Sequence, residues 1–139
     1  ASLTTELDQS RAILAAAGVL AEVDAQPVRL GRDAEEALAL ALREAVTNVV
    51  RHAHASVCRI RLRTHETGAA TLIVEDDGRA TRATLAAPEG HGLRGMRERI
   101  EARSGTVTRS LALKGHGLRL ELHLPTTLAL AFAFASAFP

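Results

Sequence analysis

The sequence predicts an α+β fold in which helices cover one face of a mixed, mostly antiparallel sheet. One long segment has helical periodicity, with Leu38, Leu42, Ala45 and Val49 on a single apolar stripe. Several short segments alternate apolar and polar residues, as half-buried strands do. A chain of 139 residues, 47% of them hydrophobic, is long enough for one domain with a core and too short for two. We therefore expect a two-layer α/β sandwich.

The predicted helices and strands succeed one another along the whole chain. Residues 4–17 have helical character, and residues 19–24 alternate like a short strand. The main helix is expected from Asp33 to about His54, because Glu36 completes a capping-box-like start. The other predicted elements are strands at 57–64 and 70–75, a mobile loop at 79–91, a helix at 92–103, and strands at 106–113 and 118–124 joined by a turn.

Composition excludes several classes of protein. Lys and Arg number 17 against 16 Asp and Glu, so the strong basic excess of a nucleic-acid-binding protein is missing. The single cysteine, Cys58, rules out an internal disulfide framework and a cysteine-based zinc site, and its apolar neighbours indicate a small buried side chain. Neither a secretory signal nor a run of roughly 18 apolar residues is visible. We expect a cytoplasmic domain.

A polar stripe lies on the main predicted helix opposite its apolar stripe. Glu44, Asn48 and His52 recur at every fourth position, and Arg51 stands beside them. A solvated helix surface is the plain alternative, because polar stripes are ordinary on amphipathic helices. However, a carboxylate, an amide, a guanidinium and an imidazole on one face can also handle a metal ion and phosphates.

Two further blocks follow this helix, at residues 74–80 and 90–99. The helix block, an Asp-Asp-Gly block and a glycine-rich block, in this order and spacing, resemble the ATP-binding catalytic domain of a sensor histidine kinase. The run from His91 to Arg99 is similar to the DesK-like and NarX-like class. The resemblance covers roughly residues 20–125. It implies the Bergerat-type ATP-binding sandwich that gyrase, Hsp90 and MutL share.

The resemblance implies a role for each residue of the helix block. ATP is expected to arrive with Mg²⁺, a hard cation that prefers oxygen ligands. Asn48 is the expected metal ligand. Glu44, one turn earlier, is the expected catalytic residue, holding a metal-bound water or polarising a nucleophile. Arg51 and His52 are expected to reach towards the phosphates, although a helix-terminal histidine is also stabilised by the helix dipole alone.

The other two blocks are expected to bind the base and the phosphates. Asp76 would accept a hydrogen bond from the exocyclic amine of adenine, and Gly78 would let the backbone approach the base. The glycine-rich block would form the ATP lid, in which the expected nucleotide-binding residues are Gly90, His91, Gly92, Leu93 and Gly95. Two positions depart from the family pattern: Ala80 replaces a glycine of the aspartate block, and Leu118 replaces a threonine.

Short glycine motifs carry little information by themselves. Gly90, Gly92 and Gly95 match a dinucleotide-binding fingerprint, but no apolar strand precedes them and no acidic residue follows about 20 positions later. The Gly-His-Gly-Leu-Arg sequence at 90–94 also recurs at 115–119, where strand alternation follows it. The second copy is therefore predicted to be a turn.

These observations predict the ATP- and Mg²⁺-binding catalytic domain of a two-component sensor histidine kinase. None of the six histidines has the context of a phosphoacceptor, which is therefore expected on a dimerisation domain outside this chain. Residues 1–18 would be the end of a helix entering from that segment, and residues 19–125 the domain itself. A response regulator is the expected partner of the whole kinase, and no nucleic acid is expected to bind. The parent protein is expected to be membrane-anchored. By itself the domain would bind ATP or hydrolyse it slowly.

Two alternatives remain open. A stand-alone anti-sigma-factor serine kinase has the same fold, but the DesK-like lid block disfavours it. A degenerate nucleotide-sensing or interaction module would explain Ala80 and Leu118, but the intact Glu44, Asn48 and Asp76 disfavour that reading.

The C-terminal residues 126–139 form an apolar tail that contains every phenylalanine of the chain. We expect it not to belong to the family domain.

Overall fold

A five-stranded sheet forms the base of the domain, and helices pack on one of its faces. The computed structural model describes residues 2–125 and 135–137. The elements in the described part are α1 (Leu3–Ala16), β1 (Leu20–Ala25), α2 (Arg32–Asn48), β2 (Val57–Thr64), β3 (Ala70–Asp76), α3 (Arg82–Ala86), α4 (His91–Glu101), β4 (Thr106–Leu111) and β5 (Leu118–Leu124). Apart from residues 135–137, the predicted tail lies outside the described residues.

The strand order is β1-β2-β3-β5-β4. The pairing of β1 with β2 is parallel, whereas all other pairs are antiparallel. This topology places β3 at the centre of the sheet, with β2 and β5 on its two sides. The expected mixed, mostly antiparallel sheet of an α+β fold is confirmed.

Strand alternation sorts the side chains between the two faces of the sheet. On β2, Cys58, Ile60 and Leu62 are buried against the helices, while Arg59 and Arg61 point to solvent. Burial raises the pKa of the Cys58 thiol to about 12, so this thiol stays neutral and packs as a small apolar group.

The apolar stripe of α2 forms the middle of the core. Leu38 and Leu42 have no exposed surface, and Leu72 of β3 and Leu122 of β5 are equally buried below them. Burying one such side chain contributes about 1.5–3 kcal/mol. Because this packing fixes the rotation of α2 about its axis, it also fixes where the polar stripe of the helix points.

An ion pair between a buried carboxylate and a half-exposed arginine attaches α1 to α2. The Glu6 carboxylate is 2% exposed and accepts hydrogen bonds from Arg43 Nε at 3.0 Å and Nη2 at 2.9 Å. The Leu3 N–H donates to Glu35 Oε1 at 2.9 Å. A buried carboxylate left without its cation is strongly destabilising, so this pair keeps α1 on the helical layer.

Three element predictions need correction. The main helix begins at Arg32 behind Gly31, whose backbone opens the helix without a side-chain cap, so the predicted capping box from Asp33 is wrong. The predicted loop at 79–91 contains α3, a helix of five residues too short to show periodicity. The strand predicted to Leu113 ends at Leu111, and Leu113 is 89% exposed in the turn that follows.

Among the described residues, no helix has both the length and the apolar character that a membrane crossing needs.

Candidate functional site

A cavity of about 510 Å³ lies between the polar stripe of α2, the start of α4 and the ends of β3 and β5. Its floor is apolar and its upper wall is polar. The residues that line it are Glu44, Ala45, Asn48, Val49, Arg51, His52, Ala53, Val74, Asp76, Arg79, Ala80, Thr84, Gly90, His91, Gly92, Leu93, Arg109, Leu118 and Leu120. The cavity has the size of a small-molecule site.

The wall formed by α2 offers oxygen atoms. Glu44 and Asn48 are one turn apart, half-buried and directed into the cavity. A carboxylate and an amide carbonyl are ligands that Mg²⁺ accepts. No cluster of three or more histidine, cysteine, aspartate or glutamate side chains suited to a metal ion occurs within residues 2–125 and 135–137.

The end of α2 widens into a single π-helical turn, Val49–Ala53. A π-turn bonds residue i to residue i+5 and changes the phase of the helix, and such turns are frequent at functional sites. The sequence neighbours Arg51 and His52 lie within this turn, and both line the cavity. His54, with a φ of 50°, ends the turn in the left-handed region.

Asp76 lies at the end of the central strand and is 5% exposed. Its Oδ1 atom accepts hydrogen bonds from the backbone N–H of Gly78 at 2.8 Å and of Leu118 at 3.4 Å. Its Oδ2 atom has no protein partner among the described residues. Burial raises the pKa of Asp76 because desolvation disfavours the charged carboxylate, and the two N–H groups oppose this effect. One oxygen of this buried carboxylate thus stays available to a hydrogen-bond donor.

Asp77, the next residue, has a structural role. It accepts hydrogen bonds from the N–H groups of Ser56 at 2.8 Å and Val57 at 2.9 Å, where β2 begins. These bonds, that to Val57 first, lower the pKa of Asp77 below its ordinary value. Two adjacent carboxyl groups therefore have pKa values shifted in opposite directions, because one is desolvated and the other is held by backbone donors.

The turn between β4 and β5 supports the Asp76 loop. His116 Nδ1 lies 2.9 Å from the carbonyl oxygen of Gly78, and because a carbonyl only accepts, Nδ1 carries the hydrogen. The Gly117 N–H donates to the carbonyl oxygen of Ala80 at 2.9 Å. A Cβ atom at Gly117 would overlap the Asp76 carbonyl oxygen. The second Gly-His-Gly copy is a turn, as predicted, and it also fixes the loop beside Asp76.

The start of α4 faces the cavity from the opposite side. Gly90 precedes the helix without a side-chain cap, so the first N–H groups of α4 have no side-chain acceptor at that position. A Cβ atom at Gly92 would overlap the Glu44 carboxylate. The glycine therefore lets the first turn of α4 lie against this carboxylate in its present position.

Nine of the eleven residues singled out from the sequence line the cavity, while Gly78 and Gly95 do not. Gly78 lies behind Asp76, where a Cβ atom would overlap the carbonyl oxygen of Ala53. Gly95 lies one turn along α4, next to the end of the Arg99 side chain. The chemical roles assigned to these eleven residues stay predictions.

Sequence reasoning missed several residues of the lining, of which Arg79, Thr84 and Arg109 are polar. Arg79 donates from Nε to the carbonyl oxygen of His52 at 2.9 Å. A signal for Arg109 was present, because strand alternation puts it on the same face as the buried Val107. An arginine at an inward strand position requires a partner.

Comparison with known proteins identifies the family of the chain. The family model of the histidine kinase-like ATPase domain matches residues 4–124. Sensor histidine kinase DesK of Bacillus subtilis is 36% identical over 107 residues, which are 76% of this chain and 29% of DesK. Sensor histidine kinase YxjM of the same organism is 38% identical over 84 residues, 60% of this chain and 20% of YxjM. The chain thus spans less than a third of either relative.

Solved structures share the fold. The histidine kinase domain of the blue-light activated histidine kinase EL346 from Erythrobacter litoralis has a TM-score of 0.74 at 20% identity, covering 90% of this chain and 63% of that one. The mycobacterial sensor histidine kinase MprB has a TM-score of 0.71 at 19% identity, covering 90% and 95%. The chain belongs to the family of histidine kinase-like ATPase domains, the ATP-binding module of such kinases. The resemblance seen in the sequence is confirmed.

Gly78 and Gly92 are predicted to respond differently to replacement by alanine. Gly78→Ala should lower the free energy of unfolding by about 1–3 kcal/mol, because the new methyl group meets the immobile backbone of Ala53. Gly92→Ala should cost less, because the Glu44 side chain can swing away and a helical alanine is favoured by about 1 kcal/mol. Urea unfolding measures both.

Gly95→Ala is the control for Gly92→Ala. Both glycines lie in α4, and a methyl group at Gly95 would meet only the end of the Arg99 side chain. If Gly92→Ala destabilised the fold as much as Gly78→Ala, the Glu44 side chain would not be yielding to the new methyl group, and the prediction would be wrong.

Replacement of Asp76 and Asp77 by asparagine should have opposite, pH-dependent effects on stability. The lowered pKa of Asp77 means that its carboxylate stabilises the fold above the ordinary value of 3.8, and that this contribution is lost as pH falls through the folded pKa. Asp77→Asn should therefore be less stable than the parent protein at pH 7, with the difference shrinking below about pH 3.8.

The raised pKa of Asp76 has the reverse sign, since its charge costs stability above the unfolded value. Asp76→Asn should be at least as stable as the parent protein at pH 7. Urea unfolding between pH 3 and 7 tests both variants, and a loss of stability of similar size in both at pH 7 would refute the opposite shifts.

Proposed function

We propose that this domain binds ATP together with Mg²⁺ and positions the γ-phosphate for transfer to a histidine on a dimerisation domain of the same kinase. The observation that carries this proposal is the buried carboxylate of Asp76, of which only Oδ1 accepts hydrogen bonds within the described residues. It shares one cavity with the uncapped start of α4 and the oxygen donors of α2. These three features suit the base, the phosphates and the metal ion of one nucleotide.

Asp76 would recognise adenine through its free oxygen. The exocyclic amine of adenine donates a hydrogen bond, whereas guanine presents a carbonyl oxygen that a carboxylate repels. Leaving one buried partner unpaired costs about 1–3 kcal/mol, so this contact can carry most of the discrimination between bases. The apolar floor formed by Val74, Leu118 and Leu120 suits the faces of a purine ring.

The first turn of α4 would bind the phosphates. Backbone N–H groups at a helix N-terminus point at an anion, and the helix dipole favours negative charge there. His91, Arg51 and His52 line the same cavity and can add donors or positive charge.

Asn48 and Glu44 are the residues that would hold Mg²⁺. The metal ion would supply neutralisation of the phosphate charge. Asn48 offers an uncharged oxygen, which suits a cation already neutralised by phosphates. Glu44, packed under Gly92, would orient a metal-bound water or polarise the attacking nucleophile, and we assign it the catalytic role.

Phosphoryl transfer requires little covalent chemistry from the protein, so positioning and charge stabilisation account for most of the rate. The phosphoacceptor histidine, the response regulator and a membrane-anchored parent would belong to the whole kinase. This domain by itself would bind ATP and hydrolyse it slowly.

Asp76→Asn is predicted to weaken adenine recognition without unfolding the protein. The asparagine oxygen can still accept the hydrogen bonds from the N–H groups of Gly78 and Leu118. The NH₂ group of the asparagine would then face the amine of adenine, and two donors cannot form a hydrogen bond. ATP affinity should fall roughly 5- to 150-fold, which corresponds to an unpaired group of about 1–3 kcal/mol. Isothermal calorimetry with ATP and GTP, with and without Mg²⁺, measures this change.

Asp77→Asn is the matched control, because Asp77 bonds to the start of β2 and does not line the cavity. It should keep its preference for ATP over GTP. A folded parent protein that binds neither nucleotide would overturn the proposal and favour a degenerate module. ATP affinity unchanged in Asp76→Asn would overturn the adenine assignment.

A further inference from the structure

One carboxylate beside the cavity is shared by two arginines. Glu89 accepts from Arg97 Nη2 at 2.5 Å and from Arg97 Nε at 3.2 Å, and Arg109 Nε lies 3.2 Å from Glu89 Oε1. The side chains of Glu89 and Arg109 are only 18% and 15% exposed. Partly buried, fork-like pairs of this kind are stronger and better oriented than exposed ion pairs.

Arg109 also holds the backbone of the segment before α4. Its Nη2 atom donates to the carbonyl oxygens of Leu85 at 3.1 Å and Ala87 at 3.4 Å. One side chain on β4 therefore contacts three alternate residues, at positions 85, 87 and 89. These residues lead into the predicted ATP lid, and residues 85–93 are here called the lid segment. Arg97 joins the same cluster to β4, because its Nη1 atom donates to the carbonyl oxygen of Val107 at 2.5 Å.

This cluster is adjacent to the proposed phosphate site. Glu89 directly precedes Gly90, the residue from which α4 begins, and Gly90, His91 and Gly92 line the cavity. Holding Glu89 against β4 therefore fixes where the first N–H groups of α4 point. Preorganised donors bind an anion more tightly than donors that must first be ordered.

Arg109 lines the cavity too, so a direct bond from its guanidinium to a phosphate is the competing role. The structure favours the indirect role, because Arg109 Nη2 already donates to two carbonyl oxygens of the lid segment and Arg109 Nε is ion-paired with Glu89. The two roles predict opposite effects of removing the Glu89 charge. If Arg109 acts through the lid segment, removing the Glu89 charge would disorder that segment and weaken ATP binding. If Arg109 contacts a phosphate directly, the same change would free its guanidinium for the phosphates and strengthen ATP binding.

We propose that Arg109 is a positioning residue for the triphosphate of ATP, acting through Glu89 and the lid backbone to hold the start of α4 over the cavity. This inference rests on the proposed function, because it assigns the triphosphate to that same site. It also explains why an arginine occupies an inward position of β4. The cluster of Glu89, Arg97 and Arg109 is here called the lid latch.

The test compares Glu89→Gln, Arg109→Gln and the double variant with the parent protein in calorimetric titrations of ATP and AMP with Mg²⁺. Each single variant should weaken ATP binding about three- to tenfold, the range expected for one lost hydrogen-bonded contact. The double variant should bind ATP no more weakly than the weaker-binding single variant, because each substitution breaks the same Glu89–Arg109 interaction. AMP affinity should change little, whereas general damage to the fold would weaken both ligands.

Arg119→Gln is the matched control. Arg119 is on the same hairpin but pairs with Glu75 and Glu121 on the sheet face away from the helices. It should bind ATP like the parent protein. Tighter ATP binding by Glu89→Gln would overturn the latch in favour of direct phosphate contact. Equal losses for ATP and AMP, or unchanged ATP affinity in both single variants, would also overturn it.

Hydrogen exchange on the nucleotide-free proteins separates the failure of this inference from the failure of the proposed function. Glu89→Gln and Arg109→Gln should speed amide exchange in residues 85–93 and leave β3 unchanged. If the parent protein binds no ATP, the proposed function fails, and exchange alone decides whether the latch orders the lid. Unchanged exchange in residues 85–93 would contradict the latch.

Discussion

A carboxylate buried at the end of the central strand constrains the arrangement of the surrounding elements. Asp76 is desolvated, which is costly for a charged group, and only two backbone N–H groups offset this cost within the described chain. Those groups come from opposite directions, since Gly78 belongs to the loop after β3 and Leu118 starts β5. The loop after β3 and the β4–β5 hairpin must therefore meet at this carboxylate.

Close backbone approaches follow from that constraint. Gly78 contacts the end of the π-turn at Ala53, and Gly117 contacts the Asp76 backbone, at distances that leave no room for a side chain. The π-turn is in turn held by Arg79, whose N–H bonds to the Ala53 carbonyl oxygen at 2.9 Å. Three elements distant in sequence thus converge on one carboxylate. The free oxygen of Asp76 opens into the cavity that they enclose.

Periodicity and residue type were enough to predict much of this architecture. The two stripes of α2 follow from its 3.6-residue period, because packing Leu38 and Leu42 into the core leaves Glu44 and Asn48 on another side. Strand alternation likewise predicted the buried face of β2. The order and spacing of the three sequence blocks carried the resemblance to the family, which the family model over residues 4–124 confirms.

The remaining features depend on tertiary contacts that no local pattern encodes. The loop after β3 bonds to the end of the π-turn, through the Arg79 N–H and the Ala53 carbonyl oxygen. His116 looked like part of an ordinary turn, and its bond to Gly78 arises from how the hairpin folds back. Arg109 contacts two carbonyl oxygens and one carboxylate on a segment without periodicity. Strand alternation therefore indicates that Arg109 points inward, but no local pattern predicts these partners.

The most direct test of this account is a crystal structure of the domain with a non-hydrolysable ATP analogue and Mg²⁺. The account predicts that the adenine amine donates to Asp76 Oδ2, that the phosphates lie at the first turn of α4, and that Asn48 contacts the metal ion. A base bound elsewhere, with the free oxygen of Asp76 facing only water, would contradict the central claim that this buried carboxylate reads adenine.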